Sequence, residues 1–260
     1  MSLAALVNTD EWPLFDSALT HRLHNDFVRD GVVVLPRFIR EDVVMEMVGE
    51  SLALSSLAFR SQTRKSPYLA SPDESFPTGH PRRHVSPSSV EVVAYDLVPQ
   101  THAVRVLYES DELTIFIAAV LGKEKLFHYA DPYGALNIAM MRDGDALGWH
   151  FDQTDFVVSL ALQSSDAGGE FENAKQLRDA RNENYDAVAE VLTGVATSRV
   201  RTEPMQPGTL MIFNGRTSMH RVTPVTGKTP RVVALLAYDT KPGTDSTDEL
   251  KMSRYGRIPA

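Results

Sequence analysis

His150-Phe151-Asp152 sets an imidazole and a carboxylate two residues apart. In an extended strand, residues i and i+2 project to one side, so these two groups would converge while Trp149 and Phe151 face away. That spacing suits two ligands on one cation. Taken alone, it is also what a surface histidine beside an aspartate gives. A second imidazole follows far along the chain: Pro207-Gly208-Thr209-Leu210-Met211-Ile212-Phe213 is a turn feeding an apolar strand, and His220-Arg221-Val222 opens the next extended stretch. Eleven residues later Arg231 leads Val232-Val233-Ala234-Leu235-Leu236-Ala237-Tyr238, a run apolar enough to be buried on both faces.

Two histidines and one carboxylate with open coordination positions form the ligand set of non-haem Fe(II) oxygenases. Zinc accepts the same donors in hydrolases, but there a nearby general base is usual. Asp145, Asp155, Glu170 and Glu172 are the carboxylates available for that role, and each also reads as a turn or strand-surface residue. Arg231 is the one charge in its strand. Facing the interior, its guanidinium needs an anion, because an unpaired buried charge costs several kcal/mol. A substrate or cosubstrate carboxylate gripped bidentately is the natural partner; the alternative is a strand-end arginine reaching solvent.

These residues need a scaffold of strands. Residues 135–142 are apolar and end at Asp143-Gly144, a hairpin turn signal, with 147–152 as the return strand. Residues 156–162 form another, closed by Gly168-Gly169, and strands resume at 209–213, 220–225 and 231–238. Before residue 129 the pattern is mainly helical: 19–29 stopping at Gly31, 41–57, and 111–121 between Ser110 as N-cap and Gly122 as stop, with one short strand at 31–36. Residues 61–89 are rich in Pro, Ser and His and lack periodicity, which suits a lid or a disordered loop. Residues 183–192 form a helix. The expectation is an all-β core with flanking helices: one domain over 1–260, with a helical part at 1–128, a jelly-roll core at about 129–240, a helical insertion near 175–194 and a tail at 241–260.

Composition narrows the chemistry. The 260 residues include no cysteine, so disulfides, thiolate nucleophiles and sulfur-ligated metals are excluded. A net charge of −8 argues against a nucleic-acid surface. No apolar run reaches the ~18 residues of a membrane span. Met1-Ser2-Leu3-Ala4-Ala5 lacks a basic region and soon meets Asp10 and Glu11, so no secretory signal is expected and the cytoplasm is the expected compartment.

The order His150-x-Asp152, His220, Arg231 resembles the Fe(II)- and 2-oxoglutarate-dependent dioxygenase superfamily. Gly148-Trp149-His150-Phe151-Asp152, Gly168-Gly169-Glu170-Phe171-Glu172, Pro207-Gly208-Thr209-Leu210 and His220-Arg221-Val222-Thr223-Pro224-Val225 stand in the superfamily's order. Asp30-Gly31-Val32-Val33-Val34-Leu35 is similar to its entry strand. The resemblance implies a double-stranded β-helix of the cupin-like, jelly-roll kind. It also implies iron on His150, Asp152 and His220, 2-oxoglutarate chelated through its keto-acid end with its far carboxylate on Arg231, and O2 as oxidant. The implied reaction hydroxylates an unactivated C–H bond and releases succinate and carbon dioxide.

Two details refine the resemblance. Members often carry a hydroxyl residue two after the arginine, where this chain has Val233, so another group must help or Arg231 acts alone; Asn137 is a candidate to touch the cosubstrate. The related radical halogenases carry Gly or Ala where Asp152 stands, which favours hydroxylation here, with desaturation or ring closure as variants. The run from Trp149 through Phe156-Val157-Val158 to Gln163 and the Glu183-Asn184-Tyr185 helix resemble bacterial hydroxylases of free or N-modified amino acids. A small carboxylate-bearing substrate would then need a cation, with Arg82 and Arg83 as candidates on a lid and Tyr255 at the mouth. Other classes remain open on the residues alone: a metal-dependent hydrolase or isomerase on a cupin-like barrel, and a non-catalytic jelly-roll binding module.

Overall fold

Helix ends in this chain are set by their caps. After a short α1 (Leu3–Leu6), the Asp16 carboxylate accepts the N–H groups of Ala18 (2.7 Å) and Leu19 (3.0 Å) and starts α2 (Ser17–Asp30), which Gly31 closes at φ 68°. Then come α3 (Glu41–Ala53), α4 (Ala103–Tyr108) and α5 (Asp111–Leu121). The last begins with the Leu113 N–H donating to Ser110 Oγ and stops at Gly122, φ 64°. Two later helices, α6 (Tyr185–Leu192) and α7 (Asp248–Tyr255), complete the set.

The computed structural model describes residues 2–259. Its strands are β1 (Val32–Leu35), β2 (Phe59–Lys65), β3 (Ser86–Val93), β4 (Phe127–His128), β5 (Leu136–Met141), β6 (Leu147–His150), β7 (Val157–Gln163), β8 (Ala167–Gly168), β9 (Phe171–Ala174), β10 (Val200–Glu203), β11 (Leu210–Phe213), β12 (Met219–Val222), β13 (Val225–Thr226), β14 (Arg231–Leu236) and β15 (Tyr238–Asp239). A seven-stranded sheet runs β1-β11-β7-β14-β5-β3-β2, and a four-stranded sheet runs β10-β9-β12-β6. All pairings within both are antiparallel. Together they form the double-stranded β-helix.

Alternation along the central strands makes two cores. Val158, Leu160, Ile212, Val232, Ala234 and Leu236 face the helices, where Phe38, Met47, Leu107, Phe116 and Ile117 cover them. Each such side chain, fully buried, contributes roughly 1.5–3 kcal/mol. The opposite face of the large sheet presents Met141, Met211 and Phe213 to Phe171 and Val222 of the small sheet. That inner layer is the barrel interior. No helix is long and apolar enough to cross a membrane.

Three expectations need correction. Residues 61–89 are not one aperiodic segment: β2 and β3 pair in register from Phe59↔Val92 to Lys65↔Ser86 and extend the large sheet, so only the stretch between them is irregular. Strand β6 does not return beside β5 as a hairpin. Although Gly144 (φ 83°) turns as expected, buried Asp145 accepts the Arg142 N–H and Ser89 Oγ–H and pairs with Arg60, while Ser88 Oγ accepts the Gly148 N–H. These bonds carry the chain past β3 into the small sheet, where β6 pairs with β12. The tail also contains α7, against β2, instead of only surface coil.

Candidate metal centre

His150 ends β6 and lies directly across from His220 on β12. Residues paired across strands project to one face, so both imidazoles enter the barrel; a bulge beside the pair, where the register shifts before Val222↔Leu147, turns the strand locally. Asp152 lies just past the end of β6, where its N–H donates to Gly215 O (2.9 Å) and the Phe151 N–H donates to Pro67 O (2.8 Å). Trp149 and Phe151 pack outward with Ala187, Val188 and Met219. Ligand atoms of His150, Asp152 and His220 all lie within 4.8 Å of one another. His150 Nε2 is 3.8 Å and His220 Nε2 3.2 Å from the Asp152 carboxylate. Bonds of ~2.0–2.2 Å to one ion place neighbouring donor atoms ~3–3.5 Å apart; the His220–Asp152 spacing lies in that range and the His150–Asp152 spacing a few tenths of an ångström beyond it, so a small inward shift of His150 would complete a divalent-metal site.

The surroundings prepare these groups as ligands. His150 Nδ1–H donates to Gly148 O (2.7 Å) and His220 Nδ1–H to Ser218 O (3.0 Å), which leaves each Nε2 lone pair aimed at the common point. Asp152 Oδ2 is buried without a well-formed hydrogen bond, an orphan that a cation would satisfy. Burial pushes His150 down, and His220 pushes it further, to about 4. Burial alone would raise Asp152, but the imidazoles of His220 and His150 overcome it and hold the carboxyl at about 2. Burial also opposes charge on His220, yet Asp152 more than offsets this and raises the imidazole. The His220–Asp152 pair therefore favours positive charge between them. Gly215 completes the cradle, since a Cβ there would overlap the Asp152 carboxylate.

Arg231 begins β14 opposite Met141, one of the interior residues. It is 8% exposed, and its nearest polar contact is Met141 Sδ at 3.9 Å; among the described residues it makes no ion pair. Burial lowers it to about 10, so it remains cationic at neutral pH. Gly169 makes room for it, because a Cβ there would stand 2.9 Å from Arg231 Cδ. Asn137, on β5, is buried, but its Oδ1 already accepts the Tyr255 hydroxyl at 2.7 Å. The two residues read as separate contacts thus meet each other, and Tyr255 is 7% exposed on α7.

The lid candidates divide. Arg82 lies over the Tyr68 ring at 4.7 Å, donates to the Tyr185 hydroxyl at 2.7 Å and sits 3.8 Å from Glu183. Tyr68 packs on Phe151 at 5.6 Å between centroids, so this cluster rests on the strand end that carries His150 and Asp152. Arg83 is exposed and donates only to Phe76 O. None of the four carboxylates considered as a base joins the metal group. Asp145 is held by Arg60 and Ser89, Asp155 by Arg216 and Glu172 by Arg221, and Glu170 is exposed. Two residues escape sequence reasoning. Arg254, on α7, is half-buried, makes no ion pair among the described residues, and its charge reaches both His150 and Asp152. Asn173, on β9, pairs across the ladder with His220. The Thr247 cap and the Gly256 stop are the signals by which α7 was available.

Known proteins sharpen this picture. The family model described as Halogenase D matches residues 15–254. Among solved structures, a 2OG-Fe(II) oxygenase-family oxidoreductase from Burkholderia pseudomallei superposes with a TM-score of 0.53 at 16% identity, covering 86% of this chain and 92% of its own. A Pseudomonas putida prolyl-4-hydroxylase gives 0.51 at 14%, covering 84% and 98%. The non-haem α-ketoglutarate-dependent epimerase SnoN of nogalamycin biosynthesis gives 0.56 at 14%, covering 86% and 83%. A search of curated protein sequences finds no match. At these identities the structural likeness establishes the fold.

Proposed function

The chain belongs to the Halogenase D family, and we propose that it is an Fe(II)- and 2-oxoglutarate-dependent oxygenase that hydroxylates a small carboxylate-bearing molecule, a free or N-modified amino acid. One observation carries this reading: a convergent His150–Asp152–His220 set shares a barrel with Arg231, a buried guanidinium that makes no ion pair among the described residues. When bound, iron with 2-oxoglutarate and O2 supplies the power to hydroxylate an unactivated C–H bond, with succinate and carbon dioxide as co-products.

The chain's own residues divide the remaining work. His150, Asp152 and His220 would hold the iron, and Arg231 would pair with the far carboxylate of 2-oxoglutarate. Phe171 stacks beside His220 at 5.4 Å and Phe213 meets its ring edge-on at 4.9 Å, which keeps water from that side of the site. Asp152 argues against halogen transfer, since a carboxylate there fills the coordination position a halide would need. For the substrate carboxylate Arg254 is the better-placed cation. Arg82 is already compensated by Glu183 and serves instead to hold residues 66–85 against Phe151. Three of the four candidate bases are held in structural contacts and the fourth, Glu170, is exposed away from the metal group, which removes the support for a hydrolase.

Anaerobic addition of Fe(II) and 2-oxoglutarate should give the weak visible charge-transfer band of this chelate. Aerobic succinate release should then rise in the presence of particular amino acids or their N-modified forms. A metal-bound protein without that band would overturn the assignment. Band without amino-acid-stimulated turnover would overturn the substrate class alone.

A further inference from the structure

Asn173 is 1% exposed, and among the described residues neither its Nδ2 nor its Oδ1 has a hydrogen-bond partner. Burying a primary amide without partners costs roughly 1–3 kcal/mol, and buried polar side chains are nearly always paired. Nothing in the packing of β9 requires the amide. Phe171 and Ala174 of the same strand are apolar core residues, and leucine has the same side-chain branching and heavy-atom count as asparagine.

Its position gives the amide a role. Asn173 is directly opposite His220 in the β9–β12 ladder, so the two side chains project to the same face, into the barrel. Phe171, two residues earlier on that face, stacks against His220, and Gly169, in the turn that leads into β9 (φ 67°), lies against Arg231. The start of β9 therefore lies beside the buried guanidinium and its middle beside the histidine ligand. This is the path that a molecule chelated at the metal and anchored on Arg231 must follow. Asn173 stands at its metal end.

Resting on the iron and 2-oxoglutarate assignment above, we infer that Asn173 is a cosubstrate-binding residue whose amide N–H donates to the metal-side carboxylate of 2-oxoglutarate. Arg231 then holds one end of the diacid and Asn173 the other. The absence of a hydroxyl residue at Val233 leaves more of the cosubstrate's binding to this second contact.

The test uses the full chain, with Asn173→Leu, Asn173→Ala and Asn173→Asp. Anaerobic titration of the Fe(II)-loaded proteins with 2-oxoglutarate, followed by the charge-transfer band, should show the dissociation constant rising about 10- to 100-fold for Leu and Ala, the range for losing a hydrogen bond to a charged group. Asn173→Asp should weaken binding at least as much, because a carboxylate replaces the donor. Fe(II) affinity of the Leu and Ala variants should stay within about threefold of wild type, as no ligand is lost. The melting temperature of metal-free Asn173→Leu should equal or exceed that of wild type, since an orphan amide gives way to an apolar side chain. Unchanged 2-oxoglutarate affinity in Leu and Ala overturns the inference. So does a metal-free Leu variant of lowered melting temperature whose Ala counterpart binds 2-oxoglutarate normally, which would make the amide structural. If wild type itself gives no band, the oxygenase assignment fails, an outcome distinct from a wild-type band that the variants reproduce.

Discussion

Gly215 lies so close to the Asp152 carboxylate that one added methyl group would overlap it, while its own backbone is in a region open to any residue. Gly215→Ala should therefore fold normally and turn the carboxylate away from the two imidazoles. We expect Fe(II) affinity to fall by about 10- to 100-fold, as when a ligand's supporting contact is lost, with an unchanged far-ultraviolet circular dichroism spectrum; anaerobic Fe(II) titration checks this. Asp152→Gly removes the ligand itself. It should abolish hydroxylated product, and chloride should then perturb the Fe(II)–2-oxoglutarate band, whereas in wild type, with Asp152 in place, chloride should leave it unmoved. A chloride effect of equal size in both proteins would show that Asp152 does not fill that position. Arg231→Gln tests the other pole. Losing one partner of a buried charge pair costs ~2–5 kcal/mol, so the 2-oxoglutarate dissociation constant should rise at least about 30-fold. The metal-free variant should be no less stable than wild type, because among the described residues the guanidinium has no carboxylate partner to lose.

Elements decide which of these residues could be read from sequence. The His150-x-Asp152 spacing, the apolar run after Arg231 and the capped helix α5 all announce themselves through periodicity or turn chemistry; the last two lie where that pattern puts them, while the strand expected over 147–152 ends at His150 and leaves Asp152 just beyond it. Sheet membership is a different matter. Strand β6 looks like the return arm of a hairpin until Arg60, Ser88 and Ser89, between 56 and 85 residues earlier in the chain, take up Asp145 and the Gly148 N–H. Such nonlocal bonds leave no local trace. Strand β10, Val-Arg-Thr-Glu, has no apolar alternation because it is an edge strand with two exposed residues. Helix α7 has a weak apolar face, so its Thr247 cap and Gly256 stop carried the only signal. That helix fixes Tyr255 against Asn137, and the bond is buried. Tyr255→Phe removes the donor and leaves Asn137 Oδ1 unpaired, so it should destabilise the protein by about 1–3 kcal/mol, read from urea unfolding. A substitution within about 0.3 kcal/mol of wild type would mean that α7 is held by its other contacts.

At the scale of the whole molecule, the proposed function requires a chain of net charge −8 to take up a dianion and hold it in a barrel. General attraction does not do this, because the long-range field has the wrong sign. Local cations must: Arg231 inside, Arg254 beside the ligands, and the metal itself. On the proposed function the last matters most, since without it the keto-acid end of the cosubstrate would meet the Asp152 carboxylate directly. Binding to the folded state alone stabilises it by about 2.7 kcal/mol at a ligand concentration 100 times the dissociation constant. For a domain of this size that corresponds to a rise in Tm of roughly 5–10 °C. Anaerobic Fe(II) should therefore raise Tm on its own, 2-oxoglutarate without metal should raise it little, and the two together should exceed the sum of their separate effects. A chelator should reverse the whole shift. If 2-oxoglutarate raises Tm equally with and without Fe(II), the diacid is held by the arginines alone, and the metal does not complete its site.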